Sequence, residues 1–242
     1  MKLNKARFFW VYPLAVWLFL TARTTELSLR LGIVLIVIGE AIRLWSNAYV
    51  GHVKVNWTQK WRGDKKEGHL ITAGPYAYVR NPLYVGSFVI GMGLCLAVRN
   101  PLLAAGALGF FVWSYRRKVR VEEAIILDEW GQEYEAYRRG VPRWIPTLRP
   151  YPANVRYGQA SWQGIMASKE FKTAIWVSVC VIALYFREEF LVERELFTGK
   201  NFVKHTVLAA VMASLVATDI IFELMKRAKR VTPPPAPPAV TS

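Results

Sequence analysis

Cysteine and histidine are nearly absent from this 242-residue chain, which has two of the first and three of the second. Cys95 and Cys180 both fall inside apolar runs, which excludes a disulfide framework and a cysteine-based zinc site. His52, His69 and His205 have no helical metal-ligand spacing, so no metal is predicted. Acidic residues are scarce too: 17 Asp and Glu face 32 Lys and Arg, for a formal charge of +15. Nucleic-acid binders can be this basic, but they seldom carry 10 Trp, 11 Tyr and 12 Phe with a positive mean hydropathy of +0.19. The charges are blocked between long apolar runs, the pattern of a chain for which lipid is part of the solvent. No internal repeat is found.

Six apolar segments stand out, at 8–20, 31–50, 83–98, 101–115, 173–186 and 202–225. Some fall short of the ~20 residues that cross a bilayer, and flanking Lys, Arg and Trp must then snorkel or the bilayer thin. A cleaved signal peptide is the alternative for the first, but Leu20-Thr21-Ala22 makes a poor cleavage site and a retained helix is preferred. With six spans, basic residues divide 24 to 7 between the two sides, which predicts that both termini and the 116–172 segment are cytoplasmic. The positive charge is then a matter of topology and anionic headgroups, and requires no nucleic-acid partner. The expectation is an all-α polytopic membrane protein. Within it, 116–139 is an amphipathic helix that continues the fourth span into the cytoplasm. Pro142, Pro146, Pro150 and Pro152 end that helix. Three parts are expected: a membrane core at 1–148, an extension with two further spans at 149–230, and a disordered Pro-rich tail at 231–242.

Two segments carry candidate chemistry. The first runs Gly74-Pro75-Tyr76-Ala77-Tyr78-Val79-Arg80-Asn81-Pro82-Leu83-Tyr84. Asn81-Pro82 is a helix-start signature, which sets free amides and a positive dipole end beside Arg80, a place suited to an anion. Tyr78 reads most simply as part of an interfacial aromatic belt. The second segment begins with Glu122-Glu123, passes Trp130-Gly131, Tyr134 and Tyr137, and ends Val141-Pro142-Arg143-Trp144-Ile145-Pro146. Asp128, Glu129, Glu133 and Glu135 read as a solvated helix face. Glu122 and Glu123 lie near the membrane, where an ionisable group without a function is costly.

Taken together, Gly-Pro-Tyr, Arg80-Asn81-Pro82, Gly86, Glu-Glu and the Val-Pro-Arg close resemble the isoprenylcysteine carboxyl methyltransferase and phospholipid methyltransferase group of membrane enzymes. The resemblance covers roughly residues 31–148, with Arg43-Leu44-Trp45 and Glu67-Gly68-His69-Leu70 matching the usual lead-in. It implies S-adenosylmethionine as cofactor, bound at the cytoplasmic end of the spans and roofed by the amphipathic helix at 116–139, and a lipophilic acceptor, such as an isoprenoid carboxylate, a lipid amine or a hydrophobic thiol. Carried over by position, Leu70, Gly74, Tyr76, Arg80, Asn81, Pro82, Tyr84, Glu122 and Glu123 line the cofactor site, and Arg80, Glu122 and Glu123 take the catalytic assignments. Glu122 or Glu123 would accept from the cofactor's ribose or amino group. Arg80 would anchor its carboxylate or clamp an anionic substrate. The chain departs from the family twice. Asn81 replaces the family's His and cannot act as a general base, and residues 149–242 have no counterpart in the smaller bacterial members. Two other readings remain: an NADPH-dependent reductase of the sterol reductase type, and a non-catalytic lipid- or partner-binding membrane protein.

Overall fold

The computed structural model describes residues 21–50, 57–62, 65–152, 160–162, 165, 170–190 and 201–231. The first apolar segment, with its signal-peptide alternative, and the Pro-rich tail lie outside them. Five helices account for most of the described chain: α1 (Glu26–Val50), α2 (Pro82–Val98), α3 (Pro101–Gly140), α4 (Glu170–Glu188) and α5 (Phe202–Val231). The expected helical character holds throughout, with one addition. Strands β1 (Trp57–Arg62) and β2 (Lys65–Leu70) pair antiparallel, with Trp57 opposite Leu70 and Arg62 opposite Lys65. The chain forms two compact units, Met1–Ala174 and Ile175–Ser242.

In the first unit, α1 opens on a reciprocal cap. Ser28 N–H donates to Thr25 Oγ1 at 3.3 Å and Thr25 N–H to Ser28 Oγ at 3.0 Å, which satisfies two amides that a helix start leaves free. Helices α1 and α2 pack through glycine. A Cβ on Gly32 would lie 2.7 Å from the Gly93 carbonyl oxygen, and one on Gly39 would lie 2.7 Å from that of Gly86. In both helices the glycines are seven residues apart, so one face recurs every two turns and the backbones touch where side chains would hold them apart. Arg43, one turn beyond Gly39, lies over Gly86 and reaches Ser87 Oγ and the Leu83 carbonyl. Arg99, left-handed at φ 53°, ends α2, and Pro101 starts α3 two residues later.

Helix α3 runs through the expected amphipathic stretch but breaks at Gly131, where φ is 44° and ψ −118°. A Cβ there would meet nothing within 4 Å. Glycine is therefore required by the backbone angle, not by crowding. Beyond the break, Tyr134, Tyr137 and Val141 bury against Leu70 and Ile126. The segment after α3 leaves the helix at the prolines, as expected, and lies along residues 77–80 as a strap. Arg80 N–H donates to the Pro142 carbonyl (2.9 Å), Thr147 N–H to Tyr78 (2.9 Å) and Tyr151 N–H to Ala77 (2.9 Å).

In the second unit, Trp176 of α4 donates its indole N–H to Asp219 of α5 at 3.2 Å. His205, fully buried, lies 3.2 Å from the Tyr185 hydroxyl and 3.4 Å from Glu189. Within α5, Phe202–Met225 is long and apolar enough to cross a membrane; Pro82–Val98 is a shorter apolar helix of 17 residues. Four expected spans thus coincide with described helices that fall short of that measure. Helix α1, for example, carries Glu26, Arg30, Glu40 and Arg43.

Candidate functional site

Glu122 and Glu123 are neighbours on α3, so their side chains leave the helix ~100° apart and serve different partners. Glu123 is the centre of a buried cluster. Arg143, from the strap, holds it on two atoms, with Nε 3.1 Å from Oε1 and Nη2 2.5 Å from Oε2. Asn81 Nδ2 donates to Oε1 at 3.2 Å, and Arg80 Nε lies 3.5 Å from the same oxygen. Arg80 and Glu123 are 8% and 7% exposed, so burial makes their pairing matter. Two guanidiniums against one carboxylate leave the cluster net positive.

Asn81 departs from its expected role. It stands at the helix start, but its side chain makes no capping bond. The amide instead donates to Glu123 and, at 3.4 Å, to the Arg143 carbonyl. The Asn81 backbone carbonyl accepts from Tyr84 and Val85 N–H, both at 3.1 Å. The charged carboxylate draws the Nδ2 donor and so sets the direction of the side chain.

Glu122 faces the other way. The Tyr84 hydroxyl donates to its carboxylate, 2.8 Å from each oxygen. Lys118, one turn back on α3, is 4.0 Å from Oε1 and stands over the Tyr84 ring at 5.4 Å. Burial raises the Glu122 pKa, and the Tyr84 bond and the Lys118 charge offset this in part. The Tyr84 ring also packs edge-on against Tyr115, with centroids 4.7 Å apart.

The remaining carried-over residues are structural walls. Leu70 belongs to the Tyr134–Tyr137 core and Pro82 is fully buried. Tyr76 is 2% exposed, and its carbonyl accepts the Tyr137 hydroxyl at 2.8 Å. Gly74, at φ 60°, has the Tyr49 ring where a Cβ would go, 2.4 Å away. Arg143 is the residue that the assignments missed. Its signal was the Val141-Pro142-Arg143 run, read as a motif ending and not as a side chain returning to Glu123.

Beside Tyr84 and Tyr115, a cavity of about 350 Å³ opens between α2, α3 and the strap, lined by Val85, Phe88, Phe111, Val112, Tyr115, Arg116, Trp144 and Ile145. A second, of about 260 Å³, continues along the same two helices past Phe88 and Phe111 to Gly91, Leu94, Cys95, Val98, Ala107 and Leu108. The surroundings are apolar except at the mouth, where Arg116 stands.

The sequence model of the phospholipid methyltransferase family matches residues 27–133, a stretch that includes Arg80, Asn81, Tyr84, Glu122 and Glu123. Among curated relatives, Protein-S-isoprenylcysteine O-methyltransferase of Schizosaccharomyces pombe is 34% identical over 84 residues, 34% of this chain and 35% of that protein. The human protein of that name is 29% identical over 120 residues, 49% and 41% of the two chains, and the one from Dictyostelium discoideum 28% over 142 residues, 58% and 56%. The chain thus spans from about a third to just over half the length of these relatives. The resemblance read from the motifs is borne out: this segment is isoprenylcysteine methyltransferase-like.

Proposed function

We propose that the chain transfers a methyl group from S-adenosylmethionine to a lipophilic acceptor that reaches the cytoplasmic face from within the bilayer. The observation that carries this reading is the Glu122–Tyr84 pair, joined at 2.8 Å beside an apolar cavity and near a net-positive cluster. Glu122, with its pKa raised by burial, is a base better matched to neutral pH than an exposed carboxylate, and can take the proton from an amine or thiol acceptor. A carboxylate acceptor needs no base. Tyr84 fixes the direction of the Glu122 oxygens. Asn81 orients Glu123 and moves no proton. Arg116, at the cavity mouth, attracts an acceptor that is anionic.

The residues present fit the cofactor. Among the described residues, the buried polar atoms without a hydrogen-bond partner include Arg80 Nε, Trp130 Nε1 and Asn47 Oδ1. The first two are donors suited to a carboxylate or a nucleoside acceptor, and the third is an acceptor suited to an ammonium. When bound, S-adenosylmethionine supplies an electrophilic methyl group on a sulfonium that leaves readily. The protein's part is then to hold donor and acceptor in line and to keep water away.

Equilibrium binding of S-adenosylmethionine and of NADPH to the purified full chain tests the reading. Binding of the first, with label passing from its methyl group into a lipid fraction, is expected. Binding of NADPH alone supports the reductase, and binding of neither a non-catalytic role. The proposed orientation has six spans, with both termini and the 116–172 segment cytoplasmic. It is checked by single-cysteine labelling at residues 160 and 240, and modification from outside intact cells overturns it.

A further inference from the structure

The two apolar cavities between α2 and α3 share Phe88 and Phe111 as a common wall. The ring centroids are 5.4 Å apart, and neither side chain is fully buried, so the pair stands in the cleft and not in the core. On the Tyr84 side the lining includes Arg116 and Trp144. On the other side it is wholly aliphatic or small, down to Cys95 and Val98. A Cβ on Gly91 would meet nothing within 4 Å. The wholly apolar space for a longer chain thus lies beyond the aromatic pair, since the larger cavity past Gly109 and Trp113 is lined by Arg116, Arg117 and Arg120. Along α2, Val85 to Cys95 is a rise of ~15 Å at ~1.5 Å per residue.

We propose that the Phe88–Phe111 pair sets the length of hydrocarbon tail that the site accepts. A tail that enters with its anionic end toward Arg116 fills the first cavity and stops against the two rings. The second cavity is reserve volume that opens only when a ring is removed or turned aside. This inference rests on the proposal that a lipophilic acceptor enters between α2 and α3, but it can be tested without methyl transfer.

The test uses the full chain in lipid nanodiscs, with Cys180→Ser so that Cys95 is the sole thiol, and straight-chain alkyl carboxylates of increasing length as probes. In this parent, affinity is expected to rise about fourfold per added methylene, the factor for burying one, and then to level off, with Cys95 open to a small maleimide throughout. Phe88→Ala should move the plateau to longer chains and make the longest ones protect Cys95. Gly91→Leu added to Phe88→Ala should refill the deep cavity and restore the early plateau. The same plateau in all three proteins, a parent with no plateau or no binding, or protection of Cys95 in the parent overturns the proposal. The parent's own plateau and thiol accessibility remain decisive if Phe88→Ala does not fold. Loss of the methyltransferase reading shows separately, as failure to bind S-adenosylmethionine alongside an intact chain-length plateau.

Discussion

Glu123→Ala removes the one carboxylate between two guanidiniums, and the damage should come mainly from what stays behind. The Arg80 side chain is 9% exposed and that of Glu123 8%. Deleting one partner of such a buried pair costs about 3–5 kcal/mol, because the other charge is stranded. Arg143 is 38% exposed, so water cushions it, and Arg143→Ala should cost only about 1 kcal/mol despite its two bonds to Glu123. Adding Arg80→Met to Glu123→Ala takes away the stranded charge and keeps an apolar stem. The double variant should therefore regain about 1–3 kcal/mol over Glu123→Ala. Thermal unfolding of the full chain in nanodiscs, followed by tryptophan fluorescence, gives the order. Wild type should melt highest, followed by Arg143→Ala, the double variant and Glu123→Ala. A double variant no more stable than Glu123→Ala would show that Arg80 does not depend on Glu123, and the reasoning fails.

Glu122 has a raised pKa in the folded protein. Its contribution to stability is therefore full below the ordinary carboxylate range and is lost as pH rises through the raised value, and Glu122→Gln should flatten the melting temperature between these limits. Methyl transfer to an amine or thiol should instead rise with pH over the same window, and Glu122→Gln should abolish that limb of the rate profile. Tyr137→Phe removes a buried hydroxyl that donates to the Tyr76 carbonyl at 2.8 Å and should cost about 1–2 kcal/mol in the same melting assay. Gly39→Ala forces a methyl to within 2.7 Å of the Gly86 carbonyl and should cost about 1–3 kcal/mol by overpacking. Gly109→Ala, with open space around it, should be neutral or stabilising; equal losses at both glycines would refute the close contact.

Helix positions were legible because apolar runs and punctuation coincide: Asn81-Pro82 opens α2 and Pro101 opens α3 where expected. The partition of work between Glu122 and Glu123 was not. Adjacency gives two directions on a helix but does not say what fills each. Arg143 was hidden for a related reason. Its place depends on a non-helical strap held by backbone bonds such as Arg80 N–H to Pro142, and no side-chain periodicity announces those. The seven-residue glycine spacing was on the page in both helices, yet pairing Gly39 with Gly86 needs the register between them. The hairpin at 57–70 lacks a clean apolar alternation and was unread.

The glycine contact between α1 and α2 and the ionic hold of the strap answer to different surroundings. Dissolved ions screen charges at the rim of the strap, where Arg143 is 38% exposed, since the Debye length is only ~10 Å at 0.1 M salt. Backbone pressed on backbone at Gly32, Gly39, Gly86 and Gly93 has nothing to protonate or screen. It responds instead to anything that fills the space between the two helices. The unit should consequently loosen unevenly. High salt should loosen the Arg143 end of the strap while its backbone bonds to residues 77–80 and the contact of the two helices hold, so the covering over the candidate site can give at one end without dismantling the frame beneath it.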